Sequence, residues 1–390
     1  MSQPAPHGCV SFREVRMFQL DVGPEVLSET DEQLQLRSVL RDLLGQCCGP
    51  ERVRAQVESS RGYDQVLWER LAGEIGVQGL ALPEEYGGAG YTYAELAVAL
   101  EELGRVVCPA PLLTAVVLAG HALLASGDRR ACARWLPEIA SGGLTATVVG
   151  FLHPAAVTAE RGPDGWVLRG EADFVPDGEG ADLLLVMARA PDGERLFACE
   201  PDGATCDRTA RRVLDPTRRQ ALVRFRGARA EPVGEDGQAA GVVAGVLDAG
   251  RVGLAAEHVG GSGHALDALL GHVSGRTQFG RAIGSFQAVK HRLADLLVEI
   301  EGARSASAYA SACLAVASPE LPLAAGAAAV VCTGAYRLAT TEYVQLHGGI
   351  GFTWEHPAHL YVRRARADEA LFGTSDDHRL RLAGLLGLAR

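Results

Sequence analysis

The amino-acid sequence predicts an α+β protein with an N-terminal helical domain, a small central antiparallel β barrel or sandwich, and a C-terminal four-helix bundle. Apolar residues first recur at helical spacing, then form short β runs between Asp-Gly turns, and finally fill long segments rich in Ala and Leu. Helical and strand periods that are segregated along a chain are typical of α+β proteins. The predicted limits are a tail over 1–27, the helical domain over 28–143, the β domain over 144–236 and the bundle over 237–390.

The first helices are predicted from an apolar period that begins at Thr30. A second helix is expected over 64–75, and Thr92 and Glu95 have the spacing of a capping box that starts a further helix. Two more helical segments are expected between residues 110 and 140. The apolar face of the first helix is predicted to consist of Leu36, Val39, Leu40, Leu43 and Leu44.

Short β runs replace the helical period after Gly143. Asp-Gly pairs at 164–165, 192–193 and 202–203 separate them, and such pairs favour tight hairpin turns. Strands at a spacing of about ten residues between such turns indicate a barrel or sandwich. The predicted strands are Thr145–Val149, Trp166–Arg169, Leu183–Ala188, Leu196–Cys199 and Ala221–Phe225.

The C-terminal part is predicted to form a helical bundle. Its segments are apolar on more than one stripe, as expected for helices that are buried on several sides. They lie near 240–272, 286–316, 321–346 and 357–372.

Composition excludes several classes of function. The 390 residues are 47% apolar and 22% charged, as in ordinary soluble proteins, and the net charge of −11 argues against a nucleic acid or an anionic membrane as the main partner. Nine cysteines without a Cys-x-x-Cys pair favour buried thiols in a reducing cytoplasm. No secretory signal, metal-ligand spacing, P-loop or Gly-x-Ser-x-Gly motif is recognisable. We therefore expect a cytoplasmic protein without a metal site.

The first motif lies between two predicted bundle helices. Arg276 and the pair Phe279-Gly280 precede a helix that opens at Gln287. A guanidinium just outside a helix start, together with a nearby amide, is suited to bind a phosphate diester. A helix corner with a surface salt bridge explains the same residues, so the pattern alone leaves both interpretations open. The full motif is Arg276-Thr-Gln-Phe-Gly-Arg-Ala-Ile-Gly-Ser-Phe-Gln-Ala-Val-Lys-His-Arg-Leu-Ala-Asp295.

The second motif lies downstream and makes the first one specific. It reads Gln345-Leu-His-Gly-Gly-Ile-Gly-Phe-Thr-Trp-Glu355 and is followed by Tyr361-Val-Arg-Arg364. The residues of the two motifs, their order and their spacing resemble the paired signatures of the acyl-CoA dehydrogenase family. The resemblance extends from about residue 30 to 390, because the predicted order of domains is also that of the family.

The resemblance implies an FAD-dependent oxidoreductase that acts on the α and β carbons of an acyl thioester, bound to CoA or to a carrier protein. The family's cofactor positions are occupied here by Arg276, Phe279, Gln287, Gln345, Gly348, Gly349 and Thr374. For Gly348 and Gly349, a helix C-cap is the plainer interpretation. Family members share cofactor sites between subunits, which implies a homodimer or tetramer, or a heteromer with a related subunit. The family's usual electron acceptor is an electron-transfer flavoprotein.

Asp248 and Arg251 match an Asp-x-x-Arg pair that lies along the pantetheine of the thioester in relatives, so the resemblance implies a substrate-binding role. An i,i+3 ion pair on the surface of a helix explains the same spacing.

The reacting end departs from the family pattern. The usual catalytic Glu precedes Gly-Thr, and that position is Phe372; the alternative Glu position of some relatives is Gly250. Neither residue can remove a proton. The flavin-facing Trp-x-Thr of relatives corresponds to Phe174-Val-Pro176, in which Phe174 could stack on the ring but Pro176 lacks both hydroxyl and N–H. The cofactor's adenosine end is therefore expected to be intact and the reacting end altered.

Substitute bases can be named, although a solvated charge or an ion pair explains each of them better. They are Glu101, Glu102, Glu257, His258, Asp368, Glu369, Asp376 and Asp377. Three hypotheses follow: a dehydrogenase with a non-standard base or with a base supplied by a partner chain, a catalytically silent subunit that assists a competent homologue, and another flavin reaction such as an oxidase or monooxygenase.

Overall fold

The computed structural model describes residues 22–151, 156–162 and 165–388 of the chain. Within them the order of helices, sheet and helices is the predicted one, so the α+β class is confirmed. Two apolar cores hold the molecule together. One joins the N-terminal helices to the C-terminal bundle, and the other lies within the sheet.

The N-terminal helices begin at well-defined caps. Thr30 accepts a hydrogen bond from the Gln33 N–H, and Thr92 forms the predicted capping box with Glu95. Leu40, Leu43 and Leu44 of the first helix are buried, whereas Val39 is 46% exposed, which corrects its predicted place on the apolar face. The helices are α1 (Asp31–Cys47), α2 (Pro50–Glu58), α3 (Gln65–Arg70), α4 (Tyr93–Arg105), α5 (His121–Ala125) and α6 (Arg129–Ala140); α3 continues as a π-helical turn over Leu71–Ile75, and α5 follows a π-helical segment over Leu113–Gly120.

The central module is a seven-stranded sheet within the described residues. Its order is β1-β4-β2-β3-β7-β5, with β6 paired to β7 and β4 also paired to β5. Most ladders are antiparallel, as expected, while β1 and β4 run parallel, with Ala146 opposite Leu183. The strands are β1 (Ala146–Val149), β2 (Ala156–Gly162), β3 (Gly165–Pro176), β4 (Leu183–Ala190), β5 (Gly193–Cys199), β6 (Cys206–Ala210) and β7 (Gln220–Val233).

The C-terminal bundle follows the predicted segments and adds a last helix. A two-residue hairpin of β8 (Thr277–Gln278) and β9 (Arg281–Ala282) separates its first two helices and carries Phe279 at its turn. The helices are α7 (Ala239–Gly275), α8 (Gln287–Ala315), α9 (Leu321–His347), α10 (Ala358–Asp368) and α11 (Ser375–Leu385).

Helices α7 and α9 are long and apolar enough to cross a membrane by length and composition. Their apolar residues pack against each other and against the neighbouring helices, so the bundle core accounts for their composition.

Candidate functional site

The structure brings the two sequence motifs together at one cavity. This cavity has a volume of about 470 Å³, and Arg276 of the first motif and Gly349 of the second both line it. Arg276 is exposed, and its guanidinium makes no ion pair with any residue that the structure describes. A β-carbon built on Gly349 would meet no atom within 4 Å, so a ligand can approach the backbone there. We will call this region the adenosine-end cavity.

Three closely packed imidazoles form another wall of the adenosine-end cavity. The ring centroids of His272 and His347 lie 4.2 Å apart, and those of His347 and His356 lie 4.4 Å apart. Burial, and then the neighbouring His347, lower the pKa of His272 and bring that of His356 to about 4. Burial therefore favours the uncharged form of both rings, and Arg276 supplies positive charge. This combination fits the phosphate groups of a dinucleotide cofactor.

The other expected cofactor residues are exposed or engaged in local structure. Phe279 is 90% exposed at a φ of +52°, and Gln287 and Gln345 are exposed on α8 and α9. Gly348 is the C-cap of α9 and has a φ of +65°, a backbone conformation that favours glycine. The Thr374 hydroxyl caps α11 and donates to Asp377 Oδ2 at 2.6 Å. Their contact with a cofactor stays a prediction.

Phe174 lies beside a bulge in the ladder between β3 and β7. Its side chain is 47% exposed and its φ is +54°. A non-glycine residue in the left-handed region is uncommon and marks a place where the surrounding structure holds the backbone. The exposed ring of Phe174 is accessible to a ligand, and its stacking on the flavin stays a prediction.

At the reacting end, the two usual base positions face each other. A β-carbon built on Gly250 would lie 2.7 Å from Cε1 of Phe372 and 3.0 Å from Cδ2 of Leu118. Phe372 is 5% exposed, and a cavity that it lines together with Arg251 and His258 has a volume of only about 10 Å³. Such a volume holds no more than about one water molecule. We will call this region the closed site.

Asp248 and Arg251 do form the ion pair that their spacing predicts, at 2.8 Å. The pair is buried rather than on the surface, because α11 covers it and Arg381 donates a second bond to Asp248 at 2.8 Å. Arg251 also donates to the Phe372 carbonyl oxygen at 3.3 Å, while its Nε has no hydrogen-bond partner among the described residues. An unpartnered buried donor beside Phe372 fits a polar ligand group at this end.

The acidic residues among the proposed substitute bases are all held by arginines or by a helix cap. Glu102 accepts from Arg37 at 2.7 Å and from Arg41 at 2.6 Å. Asp368 is bonded to Arg218 at 3.1 Å, and although burial opposes it, the charge of Arg218 lowers the pKa of Asp368 to about 2. A carboxylate held in this way is a weak proton acceptor. The remaining acidic candidates, Glu101, Glu257, Glu369, Asp376 and Asp377, pair with an arginine or with Thr374, and His258 lies 3.3 Å from Asp368.

Sequence reasoning missed a buried charge network between sheet and bundle. Arg218, in the loop before β7, bonds Glu257 of α7 and Asp368 of α10. Arg364 of α10 bonds Asp215 and donates to the Thr217 hydroxyl oxygen at 2.7 Å. These pairs join residues up to 150 positions apart, so no local sequence pattern predicts them.

A second missed residue is Asp177, at the end of β3. Its carboxylate accepts from the Thr114 hydroxyl at 2.7 Å. Burial raises the pKa of this carboxyl above its usual range. The adjacent Asp177-Gly178 turn signal was visible in the sequence, but it gave no reason to expect a buried carboxyl.

Comparisons with known proteins agree with both motifs. Residues 30–143 match the family model described as acyl-CoA dehydrogenase, N-terminal domain, and residues 239–386 match the C-terminal domain of the same family. The chain is 36% identical to the acyl-CoA dehydrogenase IpdE2 of Mycobacterium tuberculosis over 88% of this chain and 94% of that protein.

Two solved structures are also similar. A variant of the Tcur3481-Tcur3483 steroid ACAD is 31% identical with a TM-score of 0.81, covering 91% of this chain and 98% of that chain. The ChsE4-ChsE5 complex from Mycobacterium tuberculosis is 26% identical with a TM-score of 0.84, covering 93% of this chain and 99% of that chain.

Proposed function

Because the chain belongs to the acyl-CoA dehydrogenase family, whose members are FAD-dependent oxidoreductases, we propose that it is a FAD-binding subunit of a heteromeric acyl-CoA dehydrogenase and lacks a proton acceptor of its own. The observation that carries this proposal is the closed site, in which Phe372 packs on Gly250. A base at either position would need the space that the Phe372 ring fills.

FAD, when bound, supplies an acceptor for the hydride that leaves the β carbon of an acyl thioester. We propose that Arg276 and the backbone at Gly349 hold its phosphate end, with Phe279, Gln287, Gln345, Gly348 and Thr374 beside them and Phe174 near the ring. Arg251 and Asp248 would orient the thioester arm of a substrate. The α proton would be removed by a Glu of the partner subunit.

The exposure of the first motif supports a shared site. Phe279 of the first motif is 90% exposed, and Phe352 of the second motif is 89% exposed. Large aromatic side chains at such exposure are typical of surfaces that a partner covers. A related solved structure is described as a complex of two named chains, ChsE4 and ChsE5, which favours a related but distinct chain as the partner.

We further propose a steroid-derived acyl group, because the similar solved structure of 31% identity is described as a steroid ACAD. A cytoplasmic location and an electron-transfer flavoprotein as acceptor follow from the family and stay predictions, as do the domain limits at 27, 143 and 236. The thioester is attached to CoA or to a carrier protein.

A self-sufficient dehydrogenase is the second candidate, and Asp177 is the observation that favours it. A carboxyl whose pKa is raised by burial binds a proton more readily than an exposed one, as a general base must. Thr114 donates to this carboxylate and would orient it.

Co-expression separates the two candidates. The chain is produced with a family homologue that keeps the Glu-Gly-Thr sequence, and thioester oxidation by the purified complex is measured. We expect Glu→Gln in that homologue to abolish turnover and Asp177→Asn in this chain to leave at least about half of it. Retained turnover with the homologue's Glu replaced, and its loss with Asp177→Asn, would favour the second candidate.

A further inference from the structure

A large cavity lies between α1, α4, α7 and α8, away from the closed site. Its volume is about 690 Å³, within the range of about 300–1,000 Å³ that small-molecule sites occupy. Helix α7 separates the two regions, because Ala255 and His258 line the closed site whereas Ala256 and Val259 line the cavity. We propose that this cavity, the α1–α8 cavity, binds an uncharged and mainly apolar molecule that carries one hydroxyl or carbonyl group.

Tight backbone contact between α4 and α7 fixes one wall of the cavity. A β-carbon built on Gly260 would lie 1.8 Å from the Glu101 carbonyl oxygen, and one on Gly104 would lie 2.2 Å from that of Glu257. The two helices are therefore in contact and cannot approach further to fill the space. The cavity is preformed, as small-molecule sites usually are.

The walls are apolar and built from small side chains. Helix α4 contributes Ala97 and Val98, and helix α8 contributes Ala308, Ala312 and Ala315. Small residues on facing helices leave room that larger ones would fill, and an apolar wall excludes a strongly hydrated ligand.

The charged residues of the lining neutralise one another. Arg37 lies 2.9 Å from Glu101 and also pairs with Glu29, and Arg304 lies 2.6 Å from Glu101. A charged ligand would have to break one of these ion pairs. The side chain of like charge that it replaced would then remain in the cavity without a countercharge. This arrangement favours an uncharged ligand.

One buried hydroxyl lacks a partner. Ser311 lines the cavity and is 2% exposed, and its Oγ has no hydrogen-bond partner among the described residues. Buried polar atoms in folded proteins are nearly always satisfied. A hydroxyl or carbonyl of the ligand would satisfy Ser311, which gives the ligand its single polar group.

Calorimetric titration of the full-length protein with 1-octanol, and in parallel with octanoate, tests the proposal. We expect saturable binding of octanol and at least tenfold weaker binding of octanoate. Ala308→Phe, which places a ring in the cavity, should abolish octanol binding. Ser311→Ala should weaken octanol binding about fivefold through loss of one hydrogen bond.

Ser305→Ala is the matched control, because Ser305 is exposed on the same helix and bonds the Glu301 carbonyl oxygen. It should leave octanol binding unchanged, and thermal melting shows whether each variant is folded. If Ala308→Phe does not fold, Ser311→Ala alone decides. The proposal is overturned if the wild type shows no saturable octanol binding, if octanoate binds equally well, or if Ser311→Ala binds octanol like the wild type.

Discussion

The ring of Phe372 lies against Gly250, with 2.7 Å between Cε1 and the position that a β-carbon would take. In this family a carboxylate at either position removes the substrate proton, and here an aromatic ring and a glycine occupy both. The pair is therefore a matched contact: the glycine makes room for the ring, and the ring fills the space in which a base would work.

Gly250→Ala should destabilise the protein by about 1–3 kcal/mol, because the added carbon meets Phe372 and Leu118 in a packed region. The measurement is urea unfolding. Gly271→Ala on the same helix is the control, since its β-carbon would meet nothing within 4 Å and should stabilise α7 by about 0.5–1 kcal/mol. In a Phe372→Ala background, the cost of Gly250→Ala should fall by roughly 1 kcal/mol or more. Equal costs in both backgrounds would contradict the contact.

Arg218→Met should cost about 3–5 kcal/mol of unfolding free energy, because it removes the arginine bonded to the buried Asp368 and leaves Glu257 with Arg364 alone. Chemical denaturation measures this. Arg129→Met is the control, because Arg129 is 85% exposed and only 3.4 Å from an exposed Glu85, so its loss should not be measurable. A similar small effect at both positions would show that the network does not support the junction of sheet and bundle.

Stability should fall as the pH drops from about 6.5 towards 4. Burial, and then the charge of Arg105, lower the pKa of His264 to about 4 in the folded protein, against about 6.5 when unfolded. Between these values the unfolded chain binds more protons, so each such group lowers the unfolding free energy by up to about 1.4 kcal/mol per pH unit.

His264→Phe tests the source of this slope, because the new ring can keep the stack on Tyr361, whose centroid lies 4.6 Å away. Unfolding free energies at several pH values should show a shallower slope for the variant. An unchanged slope between pH 6.5 and 4 would mean that His264 titrates normally in the folded state.

Arg276→Ala should weaken FAD binding about 10- to 100-fold, because it removes a charged hydrogen-bond donor from the adenosine-end cavity. Flavin absorbance after equilibrium dialysis gives the affinity. Arg129→Met serves again as a control with unchanged binding. Retention of full FAD affinity in Arg276→Ala would remove this cavity from the cofactor site.

Local sequence patterns predicted those features that neighbouring residues determine. The capping box of Thr92 and Glu95 needs only residues three positions apart, and it is present. Strands β2 and β6 and helix α2 were missed. Both strands bury few side chains and are held by their ladders to β3 and β7, while α2 has only Val53 and Gln56 buried.

The candidate site shows the same division. The motifs that contain Arg276 and Gly349 could be recognised because each is a contiguous stretch that resembles the family's signature. The structure brings the two motifs together at one cavity. The sequence did not predict the burial of Asp177 or the ion pairs of Arg218, because both depend on partners from other helices and strands. Without knowledge of those partners, a charged residue is expected to lie on the surface, where most charged residues of folded proteins are found.

The visible spectrum of the purified chain under anaerobic conditions, with and without acyl-CoA, tests the central claim most directly. The same titration is run on its complex with a homologue that keeps Glu-Gly-Thr, using a panel that includes steroid-derived thioesters. We predict that the chain alone shows a flavin band that acyl-CoA leaves unchanged, while the complex is bleached. Bleaching of the flavin band in the chain alone would contradict the proposal. It would show that the chain has a working proton acceptor although Phe372 and Gly250 occupy the usual base positions.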